Sequence, residues 1–299
     1  MNAISFWNLL LSILLCALSS LVFGVNFLFF KYPGNNYFPP NTLFIAIALL
    51  LMYFGFWLQY GKEKKITQLL KETIYFFLIM SILALTTTAA QFTPYTPIDK
   101  WIVQLETYFG LNLSAVIAWT NQHTYFKKFL GFIYDTLPFQ MAYIPLLVIL
   151  FGKKLYIREY YFLLLLSGLI GFTIYYFFPT TAPASIITSP FFSQEQYATG
   201  LKFFQIHHHI TPSTLDGGMV ALPSFHAIWA WFCCYLLREW KSMFYVSLFL
   251  NLFLILSCVL LGWHYPLDIV ASGIIILLSH SAYWLINNSY RGTHFYLFK

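Results

Sequence analysis

The sequence predicts an all-α integral membrane protein with about eight transmembrane helices. Three observations predict it. Of 299 residues, 60% are hydrophobic and only 9% are charged, where an ordinary soluble domain carries roughly a quarter charged residues. Apolar runs of about 20 residues, enough to cross a bilayer core as a helix, recur along the whole chain. These runs lack the ~10-residue alternation of a membrane barrel. A water-soluble globule of this composition would expose large apolar patches and aggregate. A soluble enzyme, a disordered tail and a nucleic-acid-binding module are therefore excluded. The net charge of +6 is to be read by position, against the membrane.

The expected spans are 5–28, 42–60, 73–91, 133–151, 160–178, 219–237, 243–262 and 266–286. The first lacks a basic leader and is longer than a signal-peptide core, so it is expected to stay as an anchor. Leu15 before Cys16 disfavours a lipoprotein cleavage site. Later spans end at clusters such as Gly61-Lys62-Glu63-Lys64-Lys65, Gly152-Lys153-Lys154 and Arg238-Glu239-Trp240-Lys241. With a cytoplasmic N-terminus, the inner side holds Lys62, Lys64, Lys65, Lys71, Lys153, Lys154, Arg158, Arg238, Lys241, Arg291 and Lys299. The outer side keeps Lys31, Lys100, Lys127, Lys128 and Lys202. This inward excess of Lys and Arg predicts cytoplasmic termini.

Two outer segments are long. Residues 92–132 contain Trp101, Trp119 and an amphipathic stretch, which suits an interfacial helix or re-entrant segment. Residues 179–218 are rich in Pro, Thr, Ser and Gly and read as loop. The four cysteines, Cys16, Cys233, Cys234 and Cys258, all fall in expected spans, so no disulfide framework is implied. Asn251 is an isolated polar residue suited to bonding between helices. Asn112-Leu113-Ser114 matches a glycosylation sequon, a triplet common by chance.

Ionisable groups at membrane depth are costly and usually functional. His226 lies in Leu222-Pro223-Ser224-Phe225-His226, and His264 and Asp268 lie in His264-Tyr265-Pro266-Leu267-Asp268. Two crossings separate the histidines, with the basic turn at 238–241 between them, so both return to the outer side. Asp268 follows His264 by four residues, so if both are helical they share one face one turn apart. A carboxylate there fixes the imidazole tautomer. Two imidazoles facing one site suit a double displacement, one as nucleophile and one as proton donor. Each residue also has a plain structural reading. Ser224 caps the sixth span, Asp268 favours a helix N-terminus after Pro266, and His264 anchors at the interface beside Trp263 and Tyr265.

These residues resemble the last two motifs of the type 2 phosphatidic acid phosphatase superfamily. Pro223-Ser224-Phe225-His226 is similar to its Pro-Ser-Gly-His motif, with Phe in the Gly place. Ser257-Cys258, five residues, His264, three residues, Asp268 matches its third motif, with Cys258 in place of Arg. The first motif, a Lys and an Arg-Pro pair, is matched in place by Phe177-Phe178-Pro179-Thr180-Thr181-Ala182-Pro183-Ala184, which has no basic residue. Leu222-Pro223-Ser224-Phe225-His226 and His264-Tyr265-Pro266-Leu267-Asp268 resemble the inositol phosphorylceramide synthase-like branch more than plain phosphatases. Tyr134-Asp135-Thr136-Leu137-Pro138-Phe139-Gln140 is also similar to that branch.

The resemblance implies a six-helix catalytic core over 73–299, preceded by two accessory spans in 1–72. It also implies metal-independent phosphoryl transfer with no cofactor. His264 would attack phosphorus, Asp268 would orient it and His226 would protonate the leaving oxygen. The partners implied are a membrane phospholipid and a hydroxyl acceptor, which is a lipid, a polyol or water, at the extracytoplasmic face. The expected activity is a lipid phosphotransferase. The alternatives are a lipid or polyprenyl phosphate phosphatase, and an inactive lipid-binding or transport protein. With the superfamily's basic residues missing, the expected phosphate contacts are Ser224, Thr180, Thr181, Lys202 and backbone N–H groups at the start of the sixth span. Three adjacent side chains, His207-His208-His209, cannot all converge on one metal ion.

Overall fold

The computed structural model describes residues 3–214, 217–218 and 220–296, with side chains described as far as residue 288. Met219, the expected start of the sixth span, and Lys299 lie outside the described residues, as does the side chain of Arg291. The described residues are mostly helical, with no strand among them. The helices are α1 (Ala3–Val25), α2 (Thr42–Tyr60), α3 (Lys65–Ala90), α4 (Asp99–Tyr108), α5 (Leu113–Gln122), α6 (Thr124–Tyr134), α7 (Leu137–Phe151), α8 (Lys154–Phe177), α9 (Gln194–His207), α10 (Phe225–Leu236), α11 (Lys241–Leu260) and α12 (Pro266–Tyr296). Six are long and apolar enough to cross a membrane, or seven when α6 and α7, bent by 43° at their junction, are counted as one broken span. The chain is an all-α, multi-pass integral membrane protein.

α8 is the central post. Residues Tyr160 to Leu165 are at most 2% exposed along consecutive positions, so this stretch of the helix is surrounded by protein on all sides. α1, α3, α7, α10 and α12 pack around it. α1 contributes Ile4, Leu11 and Leu15 to the same core. α2 differs: it buries no residue and packs on α3.

α10 departs from the expected span at 219–237. Its 12 residues reach about 18 Å, well short of the ~30 Å hydrocarbon core. Ser224 ends the preceding loop by accepting from Ala227 N at 3.4 Å. The apolarity of α10 serves burial among α7, α8, α11 and α12, and a hydropathy pattern does not separate such a core helix from a lipid-facing one. Its N-terminus, which bears His226, is consequently recessed.

The bend between α6 and α7 follows from Pro138 in the first turn of α7, since proline cannot continue the preceding ladder. The outer segment 92–132 contributes α4, α5 and α6 rather than one interfacial helix. The 179–218 segment is not all loop. It contains α9, whose start carries a capping box formed by Ser193 and Gln196. A second, smaller apolar cluster ties this cap together, with Ile102 from α4, Ile117 from α5, Phe192 before α9 and Tyr265 before α12. Asn112 accepts from Ala115 N at 3.1 Å and caps α5. Asn251 bonds within its own helix, to Ser247 at 3.0 Å, and not between helices. The four cysteines are free thiols.

The opposite end of the bundle holds the basic turns. Lys62, Lys71, Lys154 and Arg158 line one polar cavity together with Ser5 near the N-terminus. Arg158 pairs with Glu72 at 2.6 Å, and Arg238 pairs with Glu159. α10 runs from the recessed histidine at one end to this basic end.

Candidate active site

Five residues separate α11 from α12, and they place His264. The carbonyl of Cys258 accepts from the N–H groups of both Trp263 and His264, at 3.0 and 2.9 Å. The turn passes through Gly262 at φ +82°. A Cβ there would lie 2.6 Å from Ile117 and 2.8 Å from Phe192, so glycine is required both for the backbone and for the close approach of the cap.

His264 Nδ1 lies 3.0 Å from the carbonyl of Ala221 and 3.3 Å from Asp268 Oδ2. Neither a carbonyl nor a carboxylate can donate, so Nδ1 carries the proton and Nε2 keeps its lone pair. Asp268 Oδ2 also accepts from Tyr265 N at 2.9 Å, which fixes the carboxylate at the first turn of α12. Burial lowers the His264 pKa to about 4, against the opposing pull of the Ala221 carbonyl. The ring is therefore neutral at ordinary pH. The plain helix-terminus role of Asp268 and its orienting role coincide in one geometry.

A cavity of about 520 Å³ opens beside these groups, lined by both His226 and His264. The two rings sit 6.0 Å apart between centroids, at 57°. Tyr134, the last residue of α6, stacks on His226 at 4.4 Å and 10°, and on Trp263 at 5.6 Å and 6°. The α6–α7 bend thus delivers an aromatic wall that holds the His226 ring in plane. Asp135 in the bend and Glu195 on α9 add two exposed carboxylates, and among the described residues no Lys or Arg lines the cavity.

Two acidic residues that the sequence reading passed over hold the frame. Asp99, 1% exposed, accepts from Thr181 N at 2.8 and 3.0 Å and from the Tyr265 hydroxyl at 3.0 Å. It joins α4, the segment after α8 and the residue next to His264. Burial raises its pKa to about 6, partly offset by those donors. Glu106 accepts from Leu267 N at 2.9 Å, in the first turn of α12, and its pKa is also raised by burial. The signal was present: two carboxylates seven residues apart share a helix face, in a chain with only ten acidic residues.

His226, His264 and Asp268 are brought together. The expected phosphate contacts are placed otherwise. Thr180 Oγ1 accepts from Leu222 N at 2.8 Å, Ser224 caps α10, and Thr181 is held on Asp99 through its N–H. Lys202 is fully buried and donates to the Gly217 carbonyl at 2.8 Å. None of these four lines the cavity; their neighbours Ala182, Thr199 and Ala221 do. His207 lies 3.4 Å from the Tyr175 hydroxyl, and His209 stacks on Tyr32, so the histidine run diverges. Among the described residues no cluster suits a metal ion.

The two motif departures have packing partners. Phe225 stacks on Phe172 at 4.6 Å and fills the space above Gly171, where a Cβ would lie 2.6 Å from its ring. Cys258 is fully buried, with Ser224 Oγ at 3.9 Å from its sulfur.

A family model described as the PAP2 superfamily matches residues 100–282. No curated protein and no solved structure matches the chain. The matched stretch covers more than half of the sequence and includes both histidines, Asp268 and the bent α6–α7 pair. The chain therefore belongs to the PAP2 superfamily, the type 2 phosphatidic acid phosphatases, membrane proteins of the lipid phosphatase and phosphotransferase type.

Proposed function

We propose that the chain is a lipid phosphotransferase of the inositol phosphorylceramide synthase-like kind, working through a phosphohistidine at His264. The observation that carries this reading is the His264 ring itself. Its Nδ1 is held by Ala221 and Asp268, its Nε2 is left as the nucleophilic atom, and His226 faces it across a shared cavity. In the first step Nε2 bonds to phosphorus and the bond to the lipid oxygen breaks. His226, in its protonated form, gives its proton to that oxygen. In the second step an acceptor hydroxyl gives its proton to His226, bonds to phosphorus and releases Nε2. Phosphate oxygens would lie over the N–H groups that open α10, where the helix dipole favours an anion.

The cavity's charge supports a diester donor. A phosphodiester carries one negative charge and a monoester up to two. Asp135 and Glu195 on the wall, with no basic side chain opposite, disfavour the second charge. A second reading is a lipid phosphatase. It is favoured by the exposure of those same two carboxylates, which brings water to the phosphohistidine. By this proposal the site faces the extracytoplasmic side and both termini are cytoplasmic, with residues 1–72 as accessory spans and 73–299 as the catalytic domain. The test is turnover of phospholipids by purified His264→Ala in detergent, followed by lipid mass spectrometry. Loss of turnover is expected, and survival of activity overturns the nucleophile assignment.

A further inference from the structure

The cavity beside His264 has an apolar neighbour. A groove of about 360 Å³ runs between α2, α3 and α10, and it shares His226, Gly218 and Val220 with the catalytic cavity. Its floor is Phe77, Met80 and Ala84 of α3, and Trp229 of α10 forms its far wall. Ile45 of α2, 46% exposed, stands at its rim. α2 buries no residue, so the rim faces hydrocarbon. The groove is mostly apolar, with Thr42, Ser81 and Thr87 among its lining, and it meets the catalytic cavity at Gly218, Val220 and His226, of which His226 alone is ionisable.

The roof is built, not incidental. The linker before α2 is fastened to the end of α3 by a reciprocal pair: Asn35 N donates to Gln91 Oε1 and Gln91 Nε2 donates to the Asn35 carbonyl, both at 2.6 Å. From this linker Tyr37 reaches over the groove. Its ring lies 5.5 Å from the Lys202 ammonium of α9, so the roof and the cap of the catalytic cavity are one assembly. These parts belong to residues 34–91, ahead of the family match at 100–282.

We infer that this groove seats a hydrocarbon chain of the lipid whose oxygen meets His226, the leaving lipid in the first step and a lipid acceptor in the second. The inference rests on the proposed role of His226. Geometry gives the reason. A lipid hydroxyl must reach the imidazole while its chains stay out of water, and the groove offers both, ending on His226 and carrying the exposed α2 at its rim. Lipid tails are as apolar as the groove wall, so packing and alignment, not transfer from water, would be its contribution. The accessory spans then act as the wall that aligns the alcohol oxygen with the general acid–base.

The test uses the full-length protein in phosphatidylcholine vesicles doped with a phospholipid bearing a diazirine on its acyl chain. Photolabelled residues are mapped by mass spectrometry in the wild type, His264→Ala and Ala84→Phe. Label is expected in 77–87 and at Trp229, unchanged in His264→Ala and reduced at least fivefold in Ala84→Phe. In parallel, Ala84→Phe should lower kcat/KM about tenfold for a dioleoyl substrate and less than twofold for its dihexanoyl analogue, since misaligned reactants lose rate steeply. Label confined to other helices, label indifferent to Ala84→Phe, or cross-linking between two copies of the chain along α2 would overturn the inference. Surviving turnover in His264→Ala would instead overturn the phosphohistidine reading, and the labelling pattern would still judge the groove.

Discussion

Replacing Asp99 separates its framing role from its charge. Asp99→Ala leaves two buried donors, Thr181 N–H and the Tyr265 hydroxyl, without their acceptor. Each orphan costs roughly 1–3 kcal/mol, about 2–6 kcal/mol together. Against this stands relief from a buried charge. The folded pKa of about 6 lies some two units above the ~3.9 of an unfolded Asp, worth roughly 3 kcal/mol at pH 7. The net change for Ala then lies between a gain of about 1 and a loss of about 3 kcal/mol, a fall of at most ~12 °C in Tm. Asp99→Asn keeps the shape. Its oxygen accepts from Thr181 N and its amide donates to the Tyr265 oxygen, which leaves the Tyr265 O–H without its acceptor, at a cost of about 1–3 kcal/mol. Set against the roughly 3 kcal/mol of charge relief, it should be at least as stable as the wild type at pH 7 and lose that advantage toward pH 4.

The sign follows from linkage. A carboxyl whose folded pKa is raised contributes stability that is fully present below about pH 4 and is lost as pH rises through about 6. His264, with its lowered folded pKa, runs the opposite way in both proteins. The difference between the wild-type and Asn melting curves therefore isolates Asp99. The assay is thermal unfolding in detergent from pH 4 to 8, beside kcat and KM. Asp99→Ala should lose kcat by about tenfold or more, because the segments carrying Thr181 and Tyr265 lose their common anchor, while Asn stays within about twofold. Equal damage from Asn and Ala, an undiminished kcat in Ala, or parallel wild-type and Asn curves would refute the reasoning.

Three further outcomes are expected. The His264 imidazole should titrate near pH 4, not at the ~6.5 of a free imidazole, because burial holds it neutral; the pH dependence of its NMR shift in 15N-histidine-labelled protein, assigned by His264→Ala, checks it. Asp135→Asn and Glu195→Gln should each raise the preference for a phosphate monoester over a diester by about tenfold, read as a ratio of kcat/KM values, with total loss of activity in neither. Gly171→Ala should destabilise by about 1–3 kcal/mol through its clash with the Phe225 ring, and a double-mutant cycle with Phe225→Leu should recover part of that loss.

Composition and apolar run length were enough to establish a multi-pass helical membrane protein, because hydrocarbon tolerates few other backbones. Motif spacing was enough to nominate His226, His264 and Asp268, since two crossings and one helical turn leave little freedom in where those side chains can go. The expected span at 219–237 is longer than α10 (Phe225–Leu236), because apolar burial by protein and by lipid look alike in one dimension. The 179–218 segment also reads as loop, although Ser193-Gln194-Glu195-Gln196 carries the capping signal of α9. Only the tertiary structure showed that Thr180 and Lys202 bond to backbone away from the cavity, that Asp99 and Glu106 of α4 hold Tyr265 and Leu267 at the start of α12, and that His226 lines both the cavity beside His264 and a mostly apolar groove. Those contacts join residues 15 to 166 positions apart, and no local pattern of charge or period encodes which distant backbone group a buried side chain will meet.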